Sequence, residues 1–290
     1  MANSSIWELD FYSRPVLDEN QKKLWEVLIC ESPTDVQKSP DELFKYAEYC
    51  SNKTVNSIWL QEAIGRAIAS SGKAPRKVRF FRRQMNNMIT KACEDAGITT
   101  APSRRTYTLE KWLETRYEKV YPQESGYDGL AANFASIKYP PLNAIKLPDA
   151  VRGDKKDSWA FVSLEASAFA DMPEWDIGFG ESFPLSLFEV SPDSKIPGFI
   201  IFSPRATALA AWMSGLEMAY LKLKTDTRPI LRLETGVSDS WILANITSKE
   251  TLAEAQGFSE AKDKANGVHF LAIQGDPKSE SFAGFWLLKE

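Results

Sequence analysis

Apolar and polar residues alternate in two runs near the start of the chain, with a polar turn between them. The first run spans residues 6–18, the second spans 22–30, and both are rich in aromatic residues. Alternation with a period of two is typical of strands that bury one face, so the two runs predict a β-hairpin. Residues 43–49 predict either a third strand or a short helix.

The spacing of apolar residues then becomes helical. Residues 56–69 predict a helix that ends at Gly72, and residues 83–96 predict a second helix, for which Gly97 supplies a left-handed C-cap. Strands are predicted at 78–81 and 98–100. This order of elements predicts a first α/β domain that covers residues 1–106.

Residues 107–290 are predicted to form a second α/β domain. An amphipathic helix at 109–120 precedes a segment with four prolines, 121–157, which we expect to be irregular and to connect the two halves. A long helix is predicted at 205–223. Strands are predicted at 159–164, 199–202, 230–233, 241–246, 270–273 and 285–288. The predicted fold class is α/β, with mixed sheets flanked by helices in two subdomains.

A helix that contains tryptophan leads twice to an apolar strand that contains arginine. Trp59 precedes Arg79 by twenty residues, and Trp212 precedes Arg232 by the same interval. A degenerate duplication of one α/β unit would explain this spacing, and coincidence explains it equally well.

Composition narrows the classes of function. The 290 residues carry a net charge of −4, which argues against a protein that coats nucleic acid by overall charge, so any nucleic-acid site must be local. Three widely spaced cysteines and one histidine favour buried, reduced thiols over a disulfide framework or a zinc site. His269 lies in a strand-like run and is interpreted as a core or edge residue. No apolar run is long enough to predict a membrane span.

The strongest electrostatic feature is a basic block at residues 65–91, which contains eight basic residues and no acidic residue. Lys77, Arg79 and Phe81 share one face of the predicted strand, which we expect to be exposed, while Val78 and Phe80 share a buried face. Basic groups hold phosphates and aromatic rings stack on bases, with Phe81 as the stacking ring. The predicted RNA-contacting residues are Lys73, Arg76, Lys77, Arg79, Phe81, Arg82, Arg83 and Asn86. The alternative is a solvated surface, with Arg79 paired to a carboxylate elsewhere.

Catalysis has weaker support in the sequence. Glu8 and Asp10 share one strand face, where paired carboxylates hold Mg²⁺ in some nucleases, but the only Glu-x-Lys tripeptide, Glu260 to Lys262, is a chance match more often than not. Both carboxylates are better explained as partners for Arg14 or for the basic block. No glycine-rich phosphate loop occurs. We therefore predict no catalytic residue, no metal and no cofactor.

The end of the chain is apolar and aromatic. Trp286, Leu287 and Leu288 predict a last core strand that closes the fold, and a docking tail for a partner is the alternative.

Several strings resemble the TAB-type RNA-binding proteins, which are factors of cyanobacteria and chloroplasts needed to translate the message for a reaction-centre subunit of photosystem I. The strings are WELDFYSRP at residues 7–15, KLWE at 23–26, VRFFR at 78–82 with the following Gln84-Met85, and WLL at 286–288. They are long and aromatic-rich, so chance would rarely assemble them.

This resemblance implies a non-enzymatic translation factor that binds an A/U-rich, single-stranded 5′ untranslated region. It implies a cyanobacterial cytoplasmic location, with plastid relatives in the chloroplast stroma, because the family-like text starts at Ile6 with no leader before it. Translation or photosystem assembly proteins are further expected partners. Two alternatives stay open: a metal-dependent nuclease of restriction-endonuclease-like fold, and a photosystem assembly scaffold without RNA affinity.

Overall fold

The computed structural model describes residues 5–131, 143–153, 156–226 and 228–290. The chain divides into two compact units. The first comprises Met1–Ser32 and Asp41–Tyr139, and the second comprises Pro33–Pro40 and Pro140–Glu290. Both units combine mixed sheets with helices, which confirms the predicted fold class. In the described residues, no helix has the length and apolar character needed to cross a bilayer.

The first unit is built on one five-stranded sheet with the order β3-β2-β1-β4-β5. Its strands are β1 (Ile6–Leu17), β2 (Lys23–Glu31), β3 (Lys45–Cys50), β4 (Lys77–Phe80) and β5 (Thr99–Pro102). The predicted opening hairpin is confirmed, because β1 and β2 pair antiparallel, and the ambiguous third run is a strand. On the other side of β1, β4 and β5 run parallel to it, so their carboxyl ends lie at the same edge of the sheet.

Helices α1 (Ser57–Ser71) and α2 (Asn86–Asp95) cover one face of this sheet. The Asn56 side chain caps α1 by accepting a hydrogen bond from the Trp59 N–H, and Gly72 ends the helix at a φ of 70°. The apolar side chains of the strands that point to this face pack against the helices. This buried layer includes Trp7, Leu9, Phe11, Val27, Ile29, Val78 and Phe80.

Helix α3 (Tyr107–Thr115) covers the opposite face of the same sheet. Leu109 and Leu113 are fully buried and pack with Leu28 and Phe81. We predicted that the first domain ends at residue 106. In the structure, α3 belongs to the first unit and completes its core. The apolar side chains of α3, Leu109 and Leu113, can be buried only against this sheet, which precedes the helix in the sequence.

The second unit contains two sheets, with the orders β7-β9-β13-β14-β8 and β10-β11-β12-β6. The strands are β6 (Ile145–Lys146), β7 (Ser158–Glu165), β8 (Ile177–Glu181), β9 (Lys195–Phe202), β10 (Met218–Lys224), β11 (Ile230–Thr235), β12 (Asp239–Asn245), β13 (Val268–Gln274) and β14 (Phe282–Lys289). Helices α4 (Ala206–Ser214) and α5 (Lys249–Lys264) pack into the core of this unit.

The predicted helix at 205–223 is wrong in its second half. Helix α4 stops at Ser214, Gly215 follows it, and Met218–Lys224 forms β10. Leu221 and Leu223 alternate with two lysines, which is the period of a strand rather than of a helix. The residues before Gly215 are almost all apolar, so the change from a helical to a strand period after Gly215 was not recognised.

The C-terminal run closes the fold. Trp286, Leu287 and Leu288 are buried in β14, which pairs with β13 on one side and with β8 on the other. Their side chains are therefore engaged in the core of the second unit, which is the first of the two predicted roles.

The spacing shared by the two Trp–Arg pairs does not reflect a repeated unit. In the first unit α1, which carries Trp59, leads directly into β4, which carries Arg79. In the second unit β10 intervenes between α4, which carries Trp212, and β11, which carries Arg232. The strand orders of the two units differ as well.

His269 lies in the core of the second unit and contributes an acid-sensitive contact. Its Nε2 accepts a hydrogen bond from the Leu221 N–H at 2.8 Å, and its Nδ1 lies 2.9 Å from the Gly267 carbonyl oxygen. Burial lowers the pKa of the imidazole from 6.5 to about 3. The ring is therefore neutral at pH 7, with Nδ1 carrying the proton.

We expect the second unit to lose stability as the pH falls from 6.5 towards 3, because only the unfolded chain gains a proton on His269 in this window. The loss approaches about 1.4 kcal/mol per pH unit for one such group. In the His269→Gln variant this slope disappears, while one lost hydrogen bond lowers stability at pH 7 by about 1 kcal/mol. Urea unfolding at pH 7 and pH 5 measures both effects. An unchanged slope in the variant would assign the acid sensitivity to other groups.

Candidate nucleic-acid interface

Strand β4 divides the basic block into two exposed ends and a buried middle. Lys73 and Arg76 precede the strand, whereas Arg83 and Asn86 follow it. The four residues of β4 alone span about 13 Å. The block is therefore not one continuous basic face, and its exposed cations lie beyond opposite ends of β4.

The predicted exposed face of β4 is wrong for Arg79 and Phe81, each of which is only 1% exposed. Val78 and Phe80 are buried as predicted, but α3 covers the opposite face as well, and Phe81 packs against Leu109 and Leu113. The Phe81 ring is therefore closed to a base. Arg79 has a buried partner, since its Nη1 donates to the Ser32 hydroxyl at 3.4 Å.

Arg82 is held against the sheet by a carboxylate and by aromatic rings. Its Nε donates to Asp10 Oδ1 at 2.5 Å, and its Nη2 donates to Asp10 Oδ2 at 3.1 Å. The guanidinium carbon lies 4.0 Å from the centroid of the Tyr12 ring and 5.0 Å from that of Phe81. This geometry fixes the orientation of Arg82 and pairs its charge with Asp10.

Asp10 belongs to a buried ionic network that continues beneath the segment after α3. Arg14 donates to Asp10 Oδ2 at 3.0 Å and to Glu26 Oε2 at 3.1 Å, and Glu26 also accepts from Arg116 and from the Tyr121 hydroxyl. Burial alone would raise the pKa of Asp10, but the charges of Arg14 and Arg82 hold that pKa below its usual value. Through Glu26 the network links the hairpin to residues 90 and 95 positions later in the chain.

Glu8 is also buried, but its environment keeps it largely protonated at neutral pH. Its Oε2 accepts the Leu109 N–H at 2.7 Å, at the start of α3. Burial raises the pKa of the Glu8 carboxyl to about 8, against the opposite effects of that N–H group and of the Arg79 charge. Glu8 therefore connects β1 to α3.

These contacts bear on the nuclease alternative. Both Asp10 oxygens accept guanidinium hydrogen bonds, so a cation would have to displace Arg14 or Arg82 to bind there. Lys262 of the Glu-x-Lys tripeptide lies in α5, where its Nζ donates to the Leu221 carbonyl oxygen and to Glu290. The structure confirms the interpretation of Asp10 as a partner for Arg14 and for the basic block.

Three exposed cations of the block have no ion-pair partner among the described residues. They are Lys73, Arg76 and Arg83. By contrast, Arg66 pairs with Glu48 and Lys91 pairs with Asp95. Lys77 is half-buried, and Asn86 is half-buried with its Nδ2 3.2 Å from Asn87 Oδ1. The three cations are therefore the residues of the block best placed to contact phosphates.

Sequence reasoning passed over an aromatic group beside Arg82. Tyr12 and Trp25 are both half-buried, and their ring centroids are 5.6 Å apart in an edge-on arrangement. The sequence contained a signal for this group. Tyr12 follows Asp10 by two residues on β1, so both side chains lie on the same face of the sheet, where Asp10 binds Arg82.

The sequence matches known proteins over both units. Residues 6–116 match the family model described as "RNA-binding protein Tab2/Atab2 N terminal", and residues 134–289 match "RNA-binding protein Tab2/Atab2, C-terminal domain". This chain belongs to the Tab2/Atab2 family. It is 38% identical to "Protein TAB2 homolog, chloroplastic" from Arabidopsis thaliana over 97% of this chain and 74% of that protein. It is 37% identical to the protein of the same name from Zea mays, over 97% of this chain and 70% of that protein.

Membership in the Tab2/Atab2 family confirms the resemblance carried by the hairpin text and supports an RNA-binding role. The N-terminal family match ends at residue 116, so it contains the whole basic block and α3. The family descriptions name RNA binding and no enzymatic activity.

Proposed function

We propose that this protein binds A/U-rich, single-stranded RNA of a 5′ untranslated region and thereby promotes synthesis of a photosystem I reaction-centre subunit. The family descriptions support RNA binding, and the two chloroplastic relatives support a role in photosynthetic organisms. We further propose a cyanobacterial cytoplasm as its location and translation or photosystem assembly proteins as additional partners.

The observation that carries this proposal is the acid-free block, whose exposed cations Lys73, Arg76 and Arg83 lack ion-pair partners in the described part of the chain. In a chain of net charge −4, these three cations supply local phosphate contacts at the two ends of β4. Arg82 and Asn86 lie close to Arg83 in the sequence, and the half-buried Tyr12 ring lies 4.0 Å from the Arg82 guanidinium carbon. Arg79 and Phe81 act from beneath, because their burial keeps β4 in place.

We expect the Lys73→Ala/Arg76→Ala/Arg83→Ala variant to bind A/U-rich RNA more weakly and with less dependence on salt. Each lost phosphate contact lowers the slope of log affinity against log salt by about 0.7, so three lower it by about 2. Fluorescence anisotropy with a labelled A/U-rich strand at increasing KCl concentrations measures the slope. Two smaller variants separate the contributions of the two ends of β4 to RNA affinity. They are Lys73→Ala/Arg76→Ala for one end and Arg83→Ala for the other.

The matched control is Lys22→Ala/Lys23→Ala/Lys119→Ala, which removes three exposed cations from the same unit. Both triple variants change the net charge from −4 to −7, so a loss of affinity from overall charge would be equal in the two. An equal loss would contradict the site. A wild-type protein with no affinity for single-stranded RNA would contradict the function and favour the assembly scaffold. Translation of a reporter with an A/U-rich leader then tests the role in protein synthesis.

A further inference from the structure

An open pocket of about 820 Å³ in the second unit combines aromatic rings with acidic side chains. Two short segments form it, residues 174–176 before β8 and residues 280–282 at the start of β14, together with Leu164 of β7. The backbone connects the two segments, since the Phe282 N–H donates to the Asp176 carbonyl oxygen at 2.8 Å. The pocket is therefore part of the sheet framework, and its volume lies within the usual range of ligand sites.

The aromatic part of the pocket is held rigidly by the core. The ring centroid of Trp175 lies 5.8 Å from that of Phe169, 5.4 Å from that of Phe285 and 6.0 Å from that of Phe282. Trp175 and Phe282 are nevertheless only half-buried, so both rings also reach the pocket. A half-buried tryptophan that lines a pocket beside carboxylates is a preorganised contact for a cation.

The acidic part of the pocket lacks cationic partners among the residues that the structure describes. Glu174, Asp176 and Glu280 are exposed, and none of them forms an ion pair with another described residue. In the described part of the chain, no three acidic, cysteine or histidine side chains lie close enough to hold a metal ion. The three carboxylates therefore suit a larger organic cation better than a metal ion, and they repel phosphates.

We propose that this pocket binds the guanidinium group of an arginine in a basic segment of a partner protein. A planar guanidinium stacks on tryptophan and donates hydrogen bonds to carboxylates at its edge, so it matches both parts of the pocket, whereas an ammonium group matches the acidic part better than the aromatic part. The carboxylates spread around the pocket allow neighbouring basic residues of the same segment to contribute. This site has a charge opposite to that of the RNA-binding block, so it selects a different class of partner.

The test uses the full chain and a labelled arginine-rich peptide, with a lysine-rich peptide of equal length and spermine as competitors. We expect the Glu174→Gln/Asp176→Asn/Glu280→Gln variant to bind the arginine-rich peptide about tenfold more weakly. The matched control is Glu254→Gln/Glu260→Gln/Asp263→Asn, which neutralises three exposed carboxylates on α5 and changes the net charge equally, from −4 to −1. We expect the control to bind as the wild type does.

A Trp175→Leu variant tests the aromatic part, and we expect it to lose the preference for arginine over lysine while keeping the charge-driven affinity. Equal weakening in both triple variants would show attraction by overall charge and would overturn the proposal, as would unchanged binding in the pocket variant. If spermine displaces the peptide at a lower concentration than the lysine-rich peptide does, the occupant is a free polyamine and the protein partner is excluded. Binding of A/U-rich RNA should be equal in the two triple variants, which have the same net charge, and the Trp175→Leu variant should bind it as the wild type does.

Discussion

Replacing Asp10 by asparagine is expected to lower the free energy of unfolding of the first unit by about 3–5 kcal/mol. Asp10 is completely buried and accepts hydrogen bonds from Arg14 and Arg82. Its removal leaves Arg14, which is also buried, with Glu26 as its remaining carboxylate. Arg14 then shares Glu26 with Arg116, so the buried network holds more positive than negative charge. Such a deficit of buried counter-charge costs far more than the original pair contributed, because neither water nor a counter-ion can reach it.

Urea unfolding at pH 7 measures the effect, with Glu62→Gln as the control. Glu62 lies on α1 of the same unit, its side chain is 62% exposed, and it is 4.0 Å from Arg66, so its loss should cost no more than about 0.5 kcal/mol. If the Asp10 variant unfolds within about 1 kcal/mol of the wild type, the network does not stabilise the unit as described. Incubation of both proteins with RNA and Mg²⁺ also tests the nuclease alternative, which requires cleavage by the wild type that the Asp10→Asn variant lacks.

Strand β4 shows how far the sequence alone determines the candidate site. Alternation along the strand correctly separated Val78 and Phe80 from Arg79 and Phe81. It did not reveal that the second face is also buried, because the helix that covers it begins about thirty residues later. A basic residue on a strand is predicted to be exposed unless the sequence indicates which element covers that face. Leu109 and Leu113 indicate that α3 has an apolar side, but not that this side packs on β4.

For the hairpin, by contrast with β4, the sequence alone was informative beyond the local structure. Residues 7–15 predicted both the first strand and the family, and the structure explains why that string carries so much information. Its apolar positions pack against α1 and α2, whereas on the other face Glu8 accepts the Leu109 N–H of α3 and Asp10 binds Arg14 and Arg82. One strand thus supports both layers of the first unit. The exposed cations that we assign to RNA carry no comparable constraint, so their pattern was recognisable only as an excess of charge.

Replacing Glu8 by glutamine is expected to stabilise the first unit above pH 7. Burial raises the pKa of Glu8 from 4.5 to about 8, so between these values the folded chain holds a proton that the unfolded chain has released. The contribution of Glu8 to stability is therefore complete below pH 4.5 and declines as the pH rises towards 8. The slope is at most about 1.4 kcal/mol per pH unit and flattens near each pKa, so the decline between pH 5 and pH 8 amounts to about 3.5 kcal/mol.

Glutamine keeps the shape of the side chain and an oxygen that can accept the Leu109 N–H, but it does not ionise. The difference in unfolding free energy between variant and wild type should thus grow in favour of the variant from pH 5 to pH 8. His269 does not disturb this comparison, because both proteins contain it. A difference that stays constant across this range would mean that Glu8 ionises normally in the folded protein. A difference that grows as expected would identify the contact between β1 and α3 as the point where rising pH weakens the unit that carries the basic block.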